Sequence, residues 1–171
     1  ILSSILFMKQ MSDQLGSEVK ILPIKENCRQ WWKENIPDSI ADKIYVKHFP
    51  GPIFFGFAPA LLAMAESLPD IRVVIFRMMD VPNIDQTGLY ALEEVVLSLE
   101  RRNIAVVITG LQKQPYRMLQ RINMVPGLIP ENYIFDEIED CIQWLGEELR
   151  KSTEGEEAFF DMIGNKAPVK S

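Results

Sequence analysis

The stretch Val81-Pro82-Asn83-Ile84-Asp85-Gln86-Thr87-Gly88-Leu89 joins an apolar run to an amphipathic one through a short polar bend that contains glycine. This pattern predicts a strand, a tight loop and the start of a helix. In open α/β sheets, ligands and partners usually meet the loops that follow the carboxyl ends of the strands. The bend from Val81 to Leu89 is therefore the first candidate for a functional site.

Two short apolar runs flank this bend and the amphipathic segment behind it. They are residues 71–76 and 104–108, and continuous runs without alternation are typical of strands covered on both faces. Between them, apolar side chains recur at helical spacing: Leu89, Leu92, Val96 and Leu99. The order of strand, helix and strand predicts a β-α-β unit with a right-handed crossover and parallel strands.

The remaining patterns extend this unit on both sides. Residues 44–49 and 53–55 are rich in β-branched and aromatic residues around Pro50-Gly51-Pro52, which predicts a hairpin at the edge of the sheet. Helices are expected over about 58–68, over about 115–123 and from Asp136 onwards, with a short strand over 133–135. Together these elements predict an α/β fold with a central mixed sheet of about five strands, an N-terminal hairpin followed by parallel β-α-β units.

The chain of 171 residues is long enough for one ordinary core, which we expect over residues 44–151. Residues 12–43 are polar with weak periodicity, and this pattern predicts a linker with some helix. Residues 152–171 combine charge, glycine and proline, and they predict a loose acidic tail. Its apolar pair, Phe159-Phe160, could be a docking element or a frayed helix end.

The first eight residues are apolar and uncharged, and the sequence turns polar abruptly at Lys9. They are too few to cross a bilayer, which takes about 20 residues in a helix, and they lack the features of a secretory signal. The cut end of a longer transmembrane helix and an ordinary amphipathic helix both stay open. Trp31-Trp32 could pack on the domain or lie at a membrane surface, and packing is favoured.

The net charge of −6 is concentrated near the C-terminus. Residues 136–161 hold ten acidic and two basic side chains, whereas the rest of the chain is slightly basic. An acidic end excludes a general nucleic-acid binder, which needs a basic surface against the phosphates. Cys28 and Cys141 lie far apart and outside any CxxC pair, so they predict neither a disulfide nor zinc, and a reducing compartment fits. Cys141 lies on the apolar face of a helix and is expected to be buried.

No catalytic constellation is found in the sequence. His48 is the only histidine and falls in an expected strand, and the GxxxxGK, GxGxxG and HExxH signatures are missing. Asp80 and Asp85 flank the bend, but Asp85 is expected to cap the helix by accepting backbone N–H bonds, which contributes about 1 kcal/mol. The sequence therefore predicts a protein that is not an enzyme.

Three segments resemble the STAS domain of SulP anion transporters, and the resemblance spans roughly residues 44–150. They are FPGPIFFGFA at 49–58, the strand at 73–78 and NIDQTGLYALE at 83–93. The glycine-proline segment before Phe-Phe-Gly is typical of the transporter branch, whereas the Asp-x-Thr/Ser-Gly-Leu bend is shared with anti-sigma factor antagonists. Residues 6–11 also resemble the end of the last membrane helix in that family, which favours a cut transmembrane helix over residues 1–11.

The resemblance implies a regulatory domain on the cytoplasmic side of the inner membrane, attached to the transmembrane domain of a permease for sulfate or a related anion. A free-standing anti-sigma factor antagonist is the alternative. In the antagonist branch, a partner kinase phosphorylates a serine directly after the aspartate of the bend. Here that position is Gln86, which cannot accept phosphate, and the neighbouring Thr87 is expected to stabilise the helix start.

Two surfaces are candidate binding sites, and a metal or resident cofactor is not expected. The first comprises Asn83, Asp85, Gln86, Thr87 and Gly88. The N–H groups at this helix start could hold an anion or a guanine nucleotide, although a partner protein is preferred because no phosphate loop is present. The second comprises Lys113, Arg117 and Arg121, four apart on one helix. This stripe could meet anionic lipid headgroups, a nucleotide or an acidic partner, or simply face water. A regulatory protein and a second copy of the domain are further candidate partners.

Overall fold

A computed structural model describes residues 21–27 and 30–164, in which five strands form one sheet. The strands are β1 (Ile21–Pro23), β2 (Ile44–His48), β3 (Val73–Arg77), β4 (Ala105–Thr109) and β5 (Ile134–Phe135). They lie side by side in the order in which they occur in the chain. β1 is antiparallel to β2, whereas β2, β3, β4 and β5 are mutually parallel. The predicted α/β fold with a mixed five-stranded sheet is confirmed.

Helices connect and cover these strands. They are α1 (Ile24–Asn27), α2 (Asp38–Ala41), α3 (Ala58–Ser67), α4 (Gln86–Arg101), α5 (Lys113–Arg121), α6 (Ile138–Lys151) and α7 (Glu156–Gly164). Short 3-10 turns lie at Gln30–Glu34, Phe55–Phe57 and Glu131–Tyr133. α3 ends before Pro69, as expected from the restriction that proline places on the residue before it.

The core lies around β3 and β4. All five residues of β4 and the first four of β3 are buried, which confirms that these apolar runs are strands covered on both faces. The predicted face of α4 is buried against them: Leu89, Leu92, Val96 and Leu99. Since burying such a side chain stabilises a fold by about 1.5–3 kcal/mol, this β-α-β unit carries much of the stability of the domain.

The predicted hairpin around Pro50-Gly51-Pro52 is wrong. Ile53 does not pair with β2 and instead forms an isolated parallel bridge with Ile84, while the next residues turn into a 3-10 helix. The two prolines have no N–H groups for a ladder, so the chain leaves the sheet there. β2 is paired by β1, through Ile21 with Lys47 and Leu22 with Val46, and by β3.

The described part of residues 12–43 differs from the predicted linker. β1 belongs to the sheet, and the segment behind it contributes buried core side chains: Ile24, Trp32, Ile36, Ile40 and Ala41. The polar residues between them obscured this pattern, because the apolar ones are spread over three short elements with no common period. The preferred packing of Trp32 on the domain is confirmed, whereas the side chain of Trp31 lies outside the described residues.

The predicted loose tail is wrong for residues up to 164. They form α7, and Phe159, Phe160 and Ile163 are buried. The acidic composition suggested disorder, but the charges lie on one side of a short amphipathic helix whose other side is apolar. The Phe159-Phe160 pair is therefore a folded-back part of the core.

Some sequence expectations concern residues outside the described part. These are the segment 1–11, Cys28 and residues 165–171. Within residues 21–27 and 30–164, no helix combines the length and the apolar character needed to cross a membrane. Cys141 is fully buried on α6, as expected, beside Ile138, Ile142 and Leu145.

Candidate functional site

The bend after β3 is fixed by backbone hydrogen bonds to Ile53. Ile53 N–H donates to the carbonyl of Asn83 at 3.0 Å, and the N–H of Asp85 donates to the carbonyl of Ile53 at 3.0 Å. Gly88 lies directly against the same residue, and a Cβ atom there would be 2.7 Å from the carbonyl oxygen of Ile53. The glycine of the bend is therefore needed for close approach of the first turn of α4 to this segment.

Asp85 caps α4 as predicted. Its Oδ1 accepts a hydrogen bond from the N–H of Gly88 at 2.7 Å, and its Oδ2 accepts one from the N–H of Phe55 at 3.3 Å. Both oxygens of this carboxylate thus hold backbone groups together. Asp80 has a different partner, since its Oδ2 lies 3.1 Å from Nε2 of His48. The two carboxylates that flank the bend therefore do not act as a pair.

Gln114 braces the bend from the other side. Ile84 N–H donates to Oε1 of Gln114 at 2.9 Å, and Nε2 of Gln114 donates to the carbonyl of Ile84 at 3.1 Å. The amide of Gln114 thereby bonds both backbone groups of Ile84, as a neighbouring strand would, and connects the start of α5 to the bend. Sequence reasoning missed this residue, because a glutamine in the first turn of a helix carries no signal for a contact 30 residues away.

The other predicted residues of the bend face solvent. Asn83, Gln86 and Thr87 are exposed, whereas Gly88 is buried under them. Nε2 of Gln86 donates to the hydroxyl of Tyr90 at 3.4 Å, one turn further along α4. The helix start is capped by Asp85, as predicted, and the stabilising role expected for Thr87 stays a prediction.

Three large hydrophobic side chains are exposed in the described part of the chain, and all three surround this bend. Phe55 is 68% exposed, Tyr90 50% and Met79 45%. Phe55 is bonded to Asp85 through its backbone, Tyr90 to Gln86 through its hydroxyl, and Met79 precedes the bend by two residues. We call the exposed side chains of Phe55, Met79, Gln86, Thr87 and Tyr90 the bend surface. Exposed aromatic groups around a polar centre are typical of protein contact sites.

The second candidate surface is the basic stripe of α5. Lys113, Arg117 and Arg121 are all exposed, and the buried residues of the helix, Pro115 and Leu119, lie on its other side. None of the three cations forms a salt bridge with an acidic residue in the described ranges. The stripe is therefore free to meet water or an anionic partner.

His48, at the end of β2, has a shifted pKa and contacts Asp80, which lies directly before the bend. Burial lowers the pKa of His48 below its usual value, the Asp80 carboxylate acts in the opposite direction, and Arg77 adds to the lowering. No cluster of potential metal ligands occurs among the residues that the structure describes. The side chains described around the bend hold backbone groups in place or are exposed to solvent.

These features define a class of protein: an α/β domain in which the loop after a central strand is braced by its neighbours and is surrounded by exposed side chains. Residues 24–141 match the STAS domain family, and the chain belongs to that family.

The chain is similar to several transporter domains. It is 22% identical over 149 residues to the bicarbonate transporter BicA of Synechocystis, covering 83% of this chain and 25% of that protein. A sulfate transporter family protein from Wolinella succinogenes is 30% identical, with a TM-score of 0.57 over 64% of this chain and 89% of its own. The SulP transporter STAS domain from Vibrio cholerae is 24% identical, with a TM-score of 0.56 over 68% of this chain and 88% of its own.

The chain covers different shares of these relatives. It spans a quarter of the length of BicA but most of the chains in the Wolinella and Vibrio structures. The described fold is thus that of a STAS domain related to those of SulP transporters, and the sequence resemblance to this family is confirmed.

Proposed function

We propose that this chain is the regulatory domain of a membrane anion transporter and that its bend surface contacts the rest of that transporter. Its relatives include a bicarbonate transporter and a sulfate transporter family protein. The observation that carries the proposal is the pair of exposed aromatic side chains, Phe55 and Tyr90, on a bend whose backbone is fixed. Because the backbone that carries these side chains is already fixed, binding of a partner does not have to order the loop as well.

The chemistry at the start of α4 favours a protein partner over an anion. The Asp85 carboxylate already accepts the N–H of Gly88, so its negative charge stands where an anion would meet the helix. A guanine nucleotide at this helix start would face the same charge. Binding of a nucleotide or anion at the bend is therefore the less favoured form of this proposal.

A phosphorylation switch of the antagonist kind is not part of the proposal. Gln86 has no hydroxyl to accept phosphate, and its amide donates to Tyr90. We infer that the bend of this chain is a constant contact surface. Its placement on the cytoplasmic side of an inner membrane, next to a transmembrane domain of the same polypeptide that carries sulfate or a related anion, belongs to the same proposal.

Site-specific photo-crosslinking in the full-length transporter tests this contact. A crosslinking amino acid at Tyr90 is expected to link to the transmembrane domain of the same or a neighbouring subunit, as mapped by mass spectrometry. The matched control is Glu100, which is also exposed but lies at the far end of α4. Equal crosslinking from both positions, or none from Tyr90, would contradict the proposed contact.

Titration of the purified domain separates protein contact from ligand sensing. We expect the amide NMR signals of residues 83–90 to stay in place when GTP or sulfate is added. Saturable shifts at these residues would favour small-ligand binding at the bend and count against the preferred form of the proposal.

A further inference from the structure

Three neighbouring parallel strands end in a polar residue. His48, Arg77 and Thr109 are the last residues of β2, β3 and β4, and they are paired in register across the sheet. Registered residues of parallel strands place their side chains on the same face. A row of hydrogen-bonding groups therefore crosses the carboxyl end of a sheet whose interior is apolar.

Two members of this row line a cavity of about 200 Å³. Arg77 and Thr109 line it together with Gly110, Gln112, Asp136 and Glu137. These residues come from the ends of β3, β4 and β5, the edge at which open α/β sheets bind ligands. The cavity is separate from the bend surface, although Met79 borders both.

The hydroxyl of Thr109 is the strongest sign of a ligand. Thr109 is only 2% exposed, and its Oγ1 has no hydrogen-bond partner among the described residues. Buried hydroxyl groups in folded proteins are nearly always bonded, because leaving one unbonded is destabilising. Thr109 is among the residues that line the cavity, so the cavity is where a partner for this hydroxyl would lie.

Arg77 adds a charge to the same wall. Its side chain is half-buried and forms no salt bridge with the carboxylates in the described ranges. A guanidinium presents two parallel N–H groups that match the oxygens of a planar oxyanion. The first turn of α6, which follows directly after Glu137, carries Glu139 and Asp140, so negative charge already lies beside this helix start.

Asp136 and Glu137 restrict which anion fits. An ionised carboxylate is negatively charged and can only accept hydrogen bonds. It therefore repels an oxyanion that has no O–H group to donate to it. An oxyanion that keeps one proton can accept from Arg77 and Thr109 and donate to a carboxylate of the same cavity. Hydrogencarbonate and hydrogenphosphate have this property at neutral pH, whereas sulfate does not.

We propose that this cavity binds a small oxyanion that retains a proton, with Arg77 and Thr109 donating hydrogen bonds to it and Asp136 or Glu137 accepting a hydrogen bond from its O–H group. The inference does not depend on the contact proposed for the bend surface. It assigns the domain a ligand site at the end of the sheet, next to the surface that would meet the transporter.

Titrations of this chain with sodium hydrogencarbonate, sodium phosphate and sodium sulfate, at neutral pH and matched ionic strength, test the site. We expect the amide signal of Gly110 to shift saturably with hydrogencarbonate or phosphate and not with sulfate, while Tyr90 stays in place. The two active salts, compared with each other, show which protonated anion is preferred. No saturable shift with either, or an equal response to sulfate, would overturn the proposal.

Variants make the test specific. Thr109→Val preserves the shape of the side chain and should weaken binding about tenfold, the effect of one lost hydrogen bond to a charged ligand. Arg101→Gln removes an exposed arginine at the far end of α4, outside the cavity and both candidate surfaces, and should leave the affinity unchanged. If Thr109→Val binds as wild type while its NMR spectrum shows an intact fold, the assignment of Thr109 is wrong.

The carboxylates provide a second, independent readout. The double variant Asp136→Asn, Glu137→Gln removes the two repelling charges and should allow sulfate to bind. Selectivity that persists in this variant would overturn the role given to the carboxylates. Because both residues are exposed at the cavity rim, the substitutions are expected to leave the fold intact.

Discussion

The hydroxyl of Tyr133 donates a hydrogen bond to the carbonyl oxygen of Ile163 at 2.8 Å, which joins the residue before β5 to the end of α7. Arg72 holds the same helix from the side of β3, with its guanidinium 2.7 Å from Glu157 and 2.7 Å from Asp161. Burial raises the pKa of Tyr133 well above its usual value, so this hydroxyl remains a donor at physiological pH. The acidic helix is thereby part of the folded domain.

Removal of this hydroxyl should loosen α7. Tyr133→Phe keeps the ring but leaves the Ile163 carbonyl without its donor, and we expect a loss of about 1 kcal/mol in the free energy of unfolding. Faster amide hydrogen exchange over residues 156–164 would locate the effect. Tyr116→Phe is the matched control, because the Tyr116 hydroxyl makes only a 3.5 Å contact at the surface. Equal effects of the two variants would contradict the role of Tyr133.

The cap at Asp85 should be measurable by itself. Asp85→Ala removes the two carboxylate oxygens that accept the N–H groups of Gly88 and Phe55. The expected loss in the free energy of unfolding is about 1–2 kcal/mol. Asp85→Asn keeps an oxygen that can accept from Gly88 and should lose much less. Urea unfolding curves of the three proteins give these differences. An asparagine variant as unstable as the alanine variant would show that the charge, and not the cap, is what matters.

Gly88 should tolerate no side chain. The Cβ atom of Gly88→Ala would lie 2.7 Å from the Ile53 carbonyl oxygen, so α4 or the segment at residue 53 must shift. Overpacking of this kind costs about 1–3 kcal/mol. Gly51→Ala is the control, since no atom lies within 4 Å of its added carbon. If Gly88→Ala unfolds at the wild-type urea concentration, the close approach of α4 to Ile53 is not real.

His48 gives the domain a defined pH dependence. Its pKa is lowered in the folded state, chiefly by burial, so the unfolded chain binds the proton more tightly. Stability from this group is therefore lost as the pH falls from the unfolded pKa, near 6.5, towards the lower folded one. We expect the unfolding free energy of the wild type minus that of His48→Gln to decrease as the pH falls across that window.

The counter-ion of His48 refines this test. Asp80 opposes the shift, so Asp80→Asn should lower the pKa of His48 further and steepen the loss of stability on acidification. Urea unfolding at a series of pH values measures both variants. If the unfolding free energy of the wild type minus that of His48→Gln stays constant or rises as the pH falls, the direction of the pKa shift is wrong.

The central β-α-β unit was predictable because its signal is local. The apolar runs at β3 and β4 and the helical spacing of Leu89, Leu92 and Leu99 depend on neighbours in sequence. The cap at Asp85 was predictable for the same reason, since its partner lies three residues away.

The features that sequence reasoning missed are set by distant partners. Ile53 has the composition of a strand residue, but the two prolines before it and the backbone groups of Asn83 and Asp85 that bond to it decide where it pairs. α7 is also held by distant partners, because Arg72 pairs with its acidic residues and Tyr133 bonds to the carbonyl of Ile163. One signal was available for the cavity: the last residue of each central strand, including Arg77 and Thr109, is polar after an apolar run.

The two outer strands of the sheet restrict how the domain can be recognised. β1 has three residues, one of them Pro23, and β5 has only two. A partner that binds by adding a strand needs a longer row of unpaired N–H and C=O groups than either strand offers. Within residues 21–27 and 30–164, the sheet edges therefore favour recognition through side chains on loops and helices, and the same short edges hinder neighbouring copies from pairing sheet to sheet.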